Sequence, residues 1–259
     1  DTLMEERANL EDLLVDTVQQ WNEIAEEIRS TKKQFGKDHS GGERRTDFAE
    51  AQDFEEVPIE AMIEREPITV VCSVMGWIRA MNGHIDLDRE LKFKDGDGPA
   101  IIFHAQTTDK LLALGSNGRF YTLLASNLPG GRGMGEPLRL MVDIPDDAKI
   151  VNIMPYIPDQ RLLLASSAGD GFIVRHDDVI AQTKNGKQIL NVKGNSGAKV
   201  CRNINGDHIA VVGENRKVLI FSITELPEMV RGKGVRLQKY KEGGLSDITT
   251  FDLSNGLSW

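Results

Sequence analysis

The chain has 259 residues, of which 40% are hydrophobic and 27% charged, with a net charge of −9. That apolar fraction is enough for one large or two modest hydrophobic cores, while no stretch approaches the 18 or so uninterrupted apolar residues of a membrane-spanning helix. The N-terminus lacks a charged-then-apolar signal pattern, and Cys72 and Cys201 lie in β-like runs typical of buried, reduced thiols. We therefore expect a cytoplasmic protein without membrane insertion.

The charge is divided unevenly along the chain. Residues 1–66 hold 19 acidic and 8 basic side chains, whereas residues 67–259 hold 21 acidic and 23 basic ones. An acidic N-terminal part therefore precedes a mildly basic C-terminal part. Such asymmetry is compatible with a polyanionic partner for the second part, although a net charge of +2 is a weak signal.

The N-terminal residues 2–35 predict one continuous helix with a coiled-coil-like stripe. Its apolar residues fall seven positions apart, at Leu14, Trp21, Ile28 and Phe35. Gly36 follows two lysines in the last turns, as is common where a helix ends. The stripe fits packing on the helix's own domain or pairing with a helix elsewhere in a longer protein. We expect residues 1–36 to be the end of a helical arm and residues 37–67 to be an acidic linker or crossing segment.

From residue 68 onward, one phrase occurs five times: an aliphatic or β-branched run, a small polar turn, and an apolar or aromatic pair. The turn positions lie 42, 51, 47 and 40 residues apart, at Gly76, Gly118, Gly169, Arg216 and Gly256. Two short strands around a tight turn at this period are typical of propeller-like arrays, and a single hairpin cannot bury its own apolar face. Residues 68–259 therefore predict a mainly β fold of about five four-stranded antiparallel blades. Four are nearly complete, and a fifth begins at Thr249 and is incomplete.

Enzyme and metal motifs are missing from the sequence. The five histidines form no i,i+4 pair and have no Cys-x-x-Cys partner, as a zinc site would need. The segment Asp95-Gly96-Asp97-Gly98 lacks the twelfth-position glutamate of a calcium loop and predicts a hairpin turn. Neither a Gly-x-Ser-x-Gly elbow nor a phosphate-binding P-loop is present. We predict no catalytic residue and no metal site.

The order of the parts resembles a known family. Phe35-Gly36-Lys37 ends the helix, Glu43-Arg44-Arg45-Thr46 follows, and the β repeats come next. Gly76-Trp77-Ile78-Arg79 resembles a glycine-aromatic-aliphatic-basic blade strand, and residues 128–138 (LPGGRGMGEPL) resemble a glycine/basic box. Together these features resemble the A subunit of bacterial type IIA DNA topoisomerases over essentially the whole chain. The resemblance implies a C-terminal β-pinwheel, a propeller-like fold whose blades exchange their outer strands.

The box differs from that of gyrase, which has a strict run of Gln, two Arg, two Gly, Lys and Gly. Its members here are Gly130, Gly131, Arg132, Gly133 and Gly135, and degraded copies lie at 184–187 and 230–234. A degenerate box resembles topoisomerase IV, so strong chiral wrapping of DNA is not expected. A gyrase A C-terminal domain stays the alternative.

The resemblance implies a domain that binds and bends DNA and presents it to an ATP-dependent double-strand passage enzyme, for decatenation, relaxation and chromosome segregation. The implied partners are duplex DNA, the ATPase B subunit in an A2B2 heterotetramer, a second A subunit and chromosome-segregation factors. The location would be the nucleoid, with peripheral membrane association left open. Magnesium and ATP would act on other domains or on the partner subunit, so no cofactor is expected in this fragment. None of Tyr121, Tyr156 and Tyr240 has the arginine-tyrosine context of the family's nucleophile.

Basic residues at the turns and strand ends are the candidates for DNA contact, since phosphates supply most of the affinity of such proteins. They are Arg79, Arg119, Arg132, Arg175, Lys184, Lys187, Lys217, Arg231 and Lys233. The alternative is that these cations only solvate the edge and that the glycines only form turns. A protein-interaction propeller without a nucleic-acid role is the second functional hypothesis, which the near-neutral repeats allow.

Overall fold

The computed structural model describes residues 2–39, 42, 43, 46 and 63–257. The chain divides into two compact units, Asp1–Glu56 and Val57–Trp259. Most of the predicted linker, residues 47–62, lies outside the described residues, so its role stays a prediction. No helix in the described part combines the length and the apolar character that crossing a bilayer requires.

In its described residues, the first unit holds two helices, α1 (Thr2–Val15) and α2 (Thr17–Phe35). The prediction of one continuous helix is wrong at Asp16, which has extended backbone angles and accepts hydrogen bonds from the N–H groups of Val18 and Gln19 as an N-cap. An aspartate favours this position over a helix interior, because its short side chain competes for nearby backbone N–H groups. The Gln20 side chain also donates to the carbonyls of Leu13 and Leu14 at the end of α1. The predicted apolar stripe is exposed, with Trp21 at 67%.

The described part of the second unit forms four antiparallel sheets, which we call blades 1 to 4. In chain order the strands are β1 (Pro67–Ser73), β2 (Trp77–Asn82), β3 (Pro99–Gln106), β4 (Lys110–Gly115), β5 (Arg119–Leu124), β6 (Glu136–Pro137), β7 (Ile150–Pro155), β8 (Arg161–Ser166), β9 (Asp170–Arg175), β10 (Lys187–Gln188), β11 (Ala198–Asn203), β12 (His208–Gly213), β13 (Val218–Ser222), β14 (Val235–Arg236) and β15 (Leu245–Phe251). A one-turn helix, α3 (His176–Val179), follows β9.

Each blade is built on a hairpin, and its other strands come from further along the chain. The hairpins are β1–β2, β4–β5, β8–β9 and β12–β13. The inner strands β3, β7, β11 and β15 pair with the first strand of each hairpin and contact one another from blade to blade. The short outer strands β6, β10 and β14 pair with the second strand of blades 1, 2 and 3, although each follows the hairpin of the next blade. The predicted exchange of outer strands is therefore confirmed.

The predicted fifth blade is not present in the described residues. Thr249 pairs with Ala210, within β15 of blade 4. Gly256 follows a 3₁₀ turn, Leu253–Asn255, and joins no described pair of strands. The prediction of a fifth blade was wrong because the apolar run of an inner strand resembles that of a hairpin strand. Blade 4 has three strands, since no described segment pairs with the free edge of β13.

The core lies between successive blades rather than within one. Side chains of β4 alternate, with Leu111 facing blade 1 and Leu112 facing blade 3. Side chains of β8 do the same, with Leu164 in the cluster shared with blade 2 and Leu163 in the cluster shared with blade 4. Strands buried on both faces carry continuous apolar runs, which explains the unbroken Leu-Leu-Leu-Ala of β8.

The face of blade 1 that points away from blade 2 is covered by the loop of residues 83–98. The Thr69 hydroxyl donates to the carbonyl of Gly83 at 2.8 Å and accepts from the N–H of Ile85 at 3.0 Å. The rings of His84 and His104 stack with centroids 4.4 Å apart. Gly96 adopts a positive φ of 79° in a tight turn. The turn at 95–98 is not the predicted hairpin, because β3 pairs with β1 and not with β2.

A closing glycine precedes each exchanged outer strand and lies against the backbone of the host blade. Gly135 has a φ of +87°, and a Cβ there would clash with the carbonyl oxygen of Ile78. Gly186 and Gly234 occupy the same place before β10 and β14, with φ of +70° and +80°. Only glycine adopts this conformation readily and allows so close a backbone approach. The last glycine of each box is therefore required by the fold.

If blades pack on both sides of β8, Leu163→Ala and Leu164→Ala should each lower the free energy of unfolding, by about 2–5 kcal/mol. Leu140→Ala is the control, because Leu140 is 71% exposed and should change stability by no more than about 0.5 kcal/mol. Chemical denaturation measures all three. A neutral result at either core position would mean that one face of β8 is solvated.

Gly135→Ala should destabilise the fold by about 1–3 kcal/mol, because it combines a left-handed backbone with a steric clash. Gly130→Ala is a matched control in the same loop, where a Cβ would have no atom within 4 Å. Equal midpoints for the two variants in thermal melts would contradict the closing role of Gly135.

Candidate nucleic-acid interface

The segments that precede the outer strands form one repeated feature, which we call the outer loops: residues 130–135, 183–186 and 230–234. Each is held against a neighbouring blade by backbone hydrogen bonds. After the outer strand, the N–H groups of Leu138, Ile189 and Leu237 donate to the carbonyls of Gly76, Gly118 and Gly169 at 2.9, 3.1 and 2.9 Å. The loops therefore present the sequence-predicted boxes at equivalent places on blades 1, 2 and 3.

The first outer loop is anchored by Arg79. This side chain is buried, and its two terminal nitrogens donate to the carbonyls of Gly133 at 2.5 Å and Lys92 at 2.7 Å. Its guanidinium also lies 5.6 Å from the ring centroid of Phe93. A buried arginine that donates to two backbone carbonyls holds those backbone segments in place. Few of its N–H groups remain available to a phosphate. Arg79 is therefore a loop anchor, contrary to its place among the predicted contacts.

The remaining residues of this loop are open. Arg132 is exposed and has no hydrogen bond or ion pair to the described chain, and Gly130 and Gly133 have free space around them. Gly131 instead packs tightly, since a Cβ there would lie 2.8 Å from Met81. The box thus divides into two open glycines and two that the fold needs, Gly131 and Gly135.

The hydrogen bonds of Arg79 bring a second loop to the same place. Lys92 and Lys94 are exposed, and the ammonium of Lys94 lies 3.2 Å from the ring centroid of Trp77. Trp77 pairs with Pro137 of the outer strand β6. Sequence reasoning missed both lysines, although the alternation Leu91-Lys92-Phe93-Lys94 is a signal that could have indicated them.

The second outer loop is anchored in a similar way by Arg119. Its guanidinium donates to the carbonyls of Asn185 at 2.9 Å and Gly186 at 3.2 Å, and the side chain is partly buried. Lys187 donates to the carbonyl of Asp178 at 2.6 Å while staying exposed. Lys184 is exposed, and its side chain has no polar partner in the described part of the chain.

The third outer loop contains Arg231 and Lys233. Arg231 is exposed and unpaired within the described residues. Lys233 forms an ion pair at 3.1 Å with Asp170, whose carboxylate also lies 3.5 Å from the guanidinium of Arg236. The backbone of Gly232 exchanges hydrogen bonds with Ile189 and Asn191, which join the third outer loop to the segment that follows β10.

Two predicted contacts lie away from the outer loops. Arg175 ends β9 at the opposite end from β14 and forms an ion pair at 2.5 Å with Asp159. Lys217 lies in the hairpin turn of blade 4, where it is exposed, but this blade has no outer strand among the described residues. Of the predicted contacts, the outer loops and β10 therefore contain Arg132, Lys184, Lys187, Arg231 and Lys233.

The inner strands β7, β11 and β15 line an open pocket of about 550 Å³. Its charged groups are already paired: Arg202 contacts Asp247 at 3.0 Å, and Lys199 contacts Glu214 at 3.3 Å. These cations are less available to a polyanion than Arg132, Lys184 and Arg231, which have no side-chain partner among the described residues.

The two cysteines are free and buried, as predicted. Burial, with a smaller contribution from Asp97, raises the pKa of the Cys72 thiol to about 12, and burial also raises the pKa of Cys201. Thiols protonated in this way are poor nucleophiles and poor metal ligands. Within the described residues, no group of three or more His, Cys, Asp or Glu side chains is placed to hold a metal ion.

Comparison with solved structures finds the same fold. The C-terminal domain of Escherichia coli ParC matches 71% of this chain and 78% of its own, with a TM-score of 0.65 and 29% identity. A C-terminal domain of DNA topoisomerase IV matches 73% of this chain and 62% of its own, with a TM-score of 0.64 and 19% identity.

Curated relatives are DNA topoisomerase 4 A subunits. That of Rickettsia conorii is 46% identical over 258 residues, which are 99% of this chain and 35% of the relative. That of Caulobacter vibrioides is 44% identical over 266 residues, again 99% of this chain and 35% of the relative. The chain thus spans about a third of the length of these relatives.

A family model of the DNA gyrase C-terminal domain, a β-propeller, matches residues 109–156, 160–199 and 207–251. These segments are just over half of the chain and contain the hairpins of blades 2, 3 and 4. The chain therefore belongs to the DNA gyrase C-terminal β-propeller family, as its sequence resemblance predicted, and its curated relatives are A subunits of DNA topoisomerase 4.

Proposed function

We propose that this chain is the DNA-binding and DNA-bending C-terminal domain of a topoisomerase IV A subunit. One observation carries the proposal: three successive outer loops, at equivalent places on three blades, each present an exposed cation with no partner in the described chain, Arg132, Lys184 or Arg231. Blade packing sets the spacing of these cations, so a duplex that follows them meets a fixed row of positive charge.

The chemistry of the loops suits backbone contact rather than base reading. Lys and Arg bind phosphates through charge and counterion release, which is independent of sequence. Open glycines such as Gly130 and Gly133 allow close approach of the DNA backbone. A duplex bent along the loops costs of order 1–6 kcal/mol over 20–30 base pairs, which several phosphate contacts can offset.

The names of the relatives support the topoisomerase IV branch over gyrase, as does the lack of a strict gyrase box at 128–138. In this proposal the domain delivers a DNA segment for decatenation and relaxation in chromosome segregation. The ATPase B subunit, a second A subunit, magnesium and ATP act with other parts of the enzyme. The fragment itself is non-catalytic and works in the cytoplasm at the nucleoid.

The triple variant Arg132→Gln, Lys184→Gln, Arg231→Gln should weaken duplex binding by roughly tenfold or more at moderate salt. The plot of log K against log salt should become less steep by about 0.9 for each phosphate that the variant no longer neutralises. Fluorescence anisotropy with two unrelated duplexes at several salt concentrations measures both effects, and the decrease in affinity should be similar for the two duplexes.

The matched control removes three cations away from the outer loops: Arg161→Gln, Arg175→Gln, Arg202→Gln. It makes the same change in net charge but should keep most of the affinity. If the outer-loop variant binds as tightly as the parent, DNA does not use these loops and the protein-interaction hypothesis gains support. Equal decreases in affinity for both triples would indicate attraction to the whole domain without a defined path.

A further inference from the structure

The third outer loop differs from the other two in having an acid beneath it. Asp170 is only 3% exposed, lies at the start of β9, and contacts both Lys233 and Arg236. The side chains of the two cations are about half exposed, at 49% and 54%. Asp170 is therefore a buried carboxylate whose partners reach the surface.

The pairing of β9 with β14 places Asp170 directly opposite Arg236. In blade 1 the same register pairs Trp77 with Pro137, and in blade 2 it pairs Arg119 with Gln188. Of these three blades, blade 3 thus has an acid on the hairpin, Asp170, and a cation opposite it on the outer strand, Arg236. The position before the closing glycine is likewise Lys233 here, whereas it is Met134 and Asn185 in the other loops.

This arrangement affects any anion that approaches the third outer loop. A phosphate near Lys233 or Arg236 meets two positive charges already balanced in part by a carboxylate within 3.5 Å. To bind either cation fully, the phosphate must compete with the Asp170 carboxylate, which is close and held in place by the strand. This carboxylate is shielded from water, and charge interactions are stronger in such a place than at the open surface. Arg231 has no such competitor among the residues that the structure describes.

We propose that Asp170 limits the DNA affinity of the domain by withholding Lys233 and Arg236 from the phosphates, so that the third outer loop contributes mainly through Arg231. This inference rests on the proposed DNA-binding function. It makes Asp170 a residue that weakens binding and favours release of the DNA segment.

Asp170→Asn removes the competing charge and keeps the size of the side chain. The variant should bind duplex roughly three- to tenfold more tightly than the parent, with a salt dependence steeper by about one to two, one for each cation that binds an additional phosphate. The triple variant Asp170→Asn, Lys233→Gln, Arg236→Gln should not show this tighter binding. Lys233→Gln, Arg236→Gln in the parent background should change affinity less than Lys184→Gln does.

Asp247→Asn is the matched control. Asp247 also pairs with an arginine on another strand, Arg202 of β11, but it lies on the inner strand β15. It raises the net charge equally and should leave affinity near that of the parent. Thermal melts confirm that each variant is folded, and if Asp170→Asn fails to fold, Asp170→Ser replaces it.

A folded Asp170 variant with unchanged or weaker binding would overturn the inference while the parent still binds DNA. Equal increases in affinity for Asp170→Asn and Asp247→Asn would overturn it as well, by showing an effect of net charge alone. Failure of the parent itself to bind would instead overturn the proposed function.

Discussion

The structure depends on the fact that no hairpin of the second unit can bury its own faces. Strands such as β4 and β8 are apolar on both sides, so their hairpins need a neighbouring blade on either side to remove those side chains from water. The exchanged outer strands add a backbone connection to the same arrangement. Each outer loop crosses to the neighbouring blade and ends at a glycine in the left-handed conformation, which lies against the second strand of the host hairpin. Packing and exchange together fix where the loops lie.

The exchange of outer strands also explains the structural role of several charged residues, which hold the outer loops in place. Arg79 and Arg119 lie on the second strand of their hairpins and donate to the carbonyls of the loop that crosses over them. In blade 3 the corresponding strand carries Asp170, which pairs with Lys233 of the loop and with Arg236 of β14. The contact in blade 3 therefore joins two charged side chains, whereas those of Arg79 and Arg119 join a side chain to the backbone of the loop. Among the described residues, the exposed side chains of Arg132, Lys184 and Arg231 make no such hydrogen bond or ion pair.

Much of the fold could be predicted from local pattern. The period of the hairpin phrase, its turn glycines and the need for mutual burial predicted the antiparallel blades, and the family resemblance added the exchanged outer strands. Failures occurred where one residue decides between two local structures. Asp16 caps a second helix instead of continuing the first, and the run at Thr249 completes an inner strand instead of beginning a hairpin.

The candidate site was harder to predict, because exposure is set by tertiary contacts. Arg79 and Arg132 both appear in sequence as basic residues near turns, yet only the structure shows that one is buried and the other free. Arg79 donates to the carbonyls of both Lys92 and Gly133, and this link between two loops is not visible in the local alternation at 91–94. The pairing of Asp170 with Lys233 joins residues more than sixty positions apart and depends on the register of β9 with β14.

The central claim is that duplex DNA lies along the outer loops and leaves the inner strands untouched. Backbone hydrogen–deuterium exchange, measured with and without saturating duplex, tests it most directly because it reports on every segment in one experiment. The account predicts slower exchange at residues 130–137, 183–188 and 230–236, with no change in β3, β7 and β11. Protection confined to the turns between blades at 107–109, 157–160 and 204–207, with the outer loops unaffected, would contradict it.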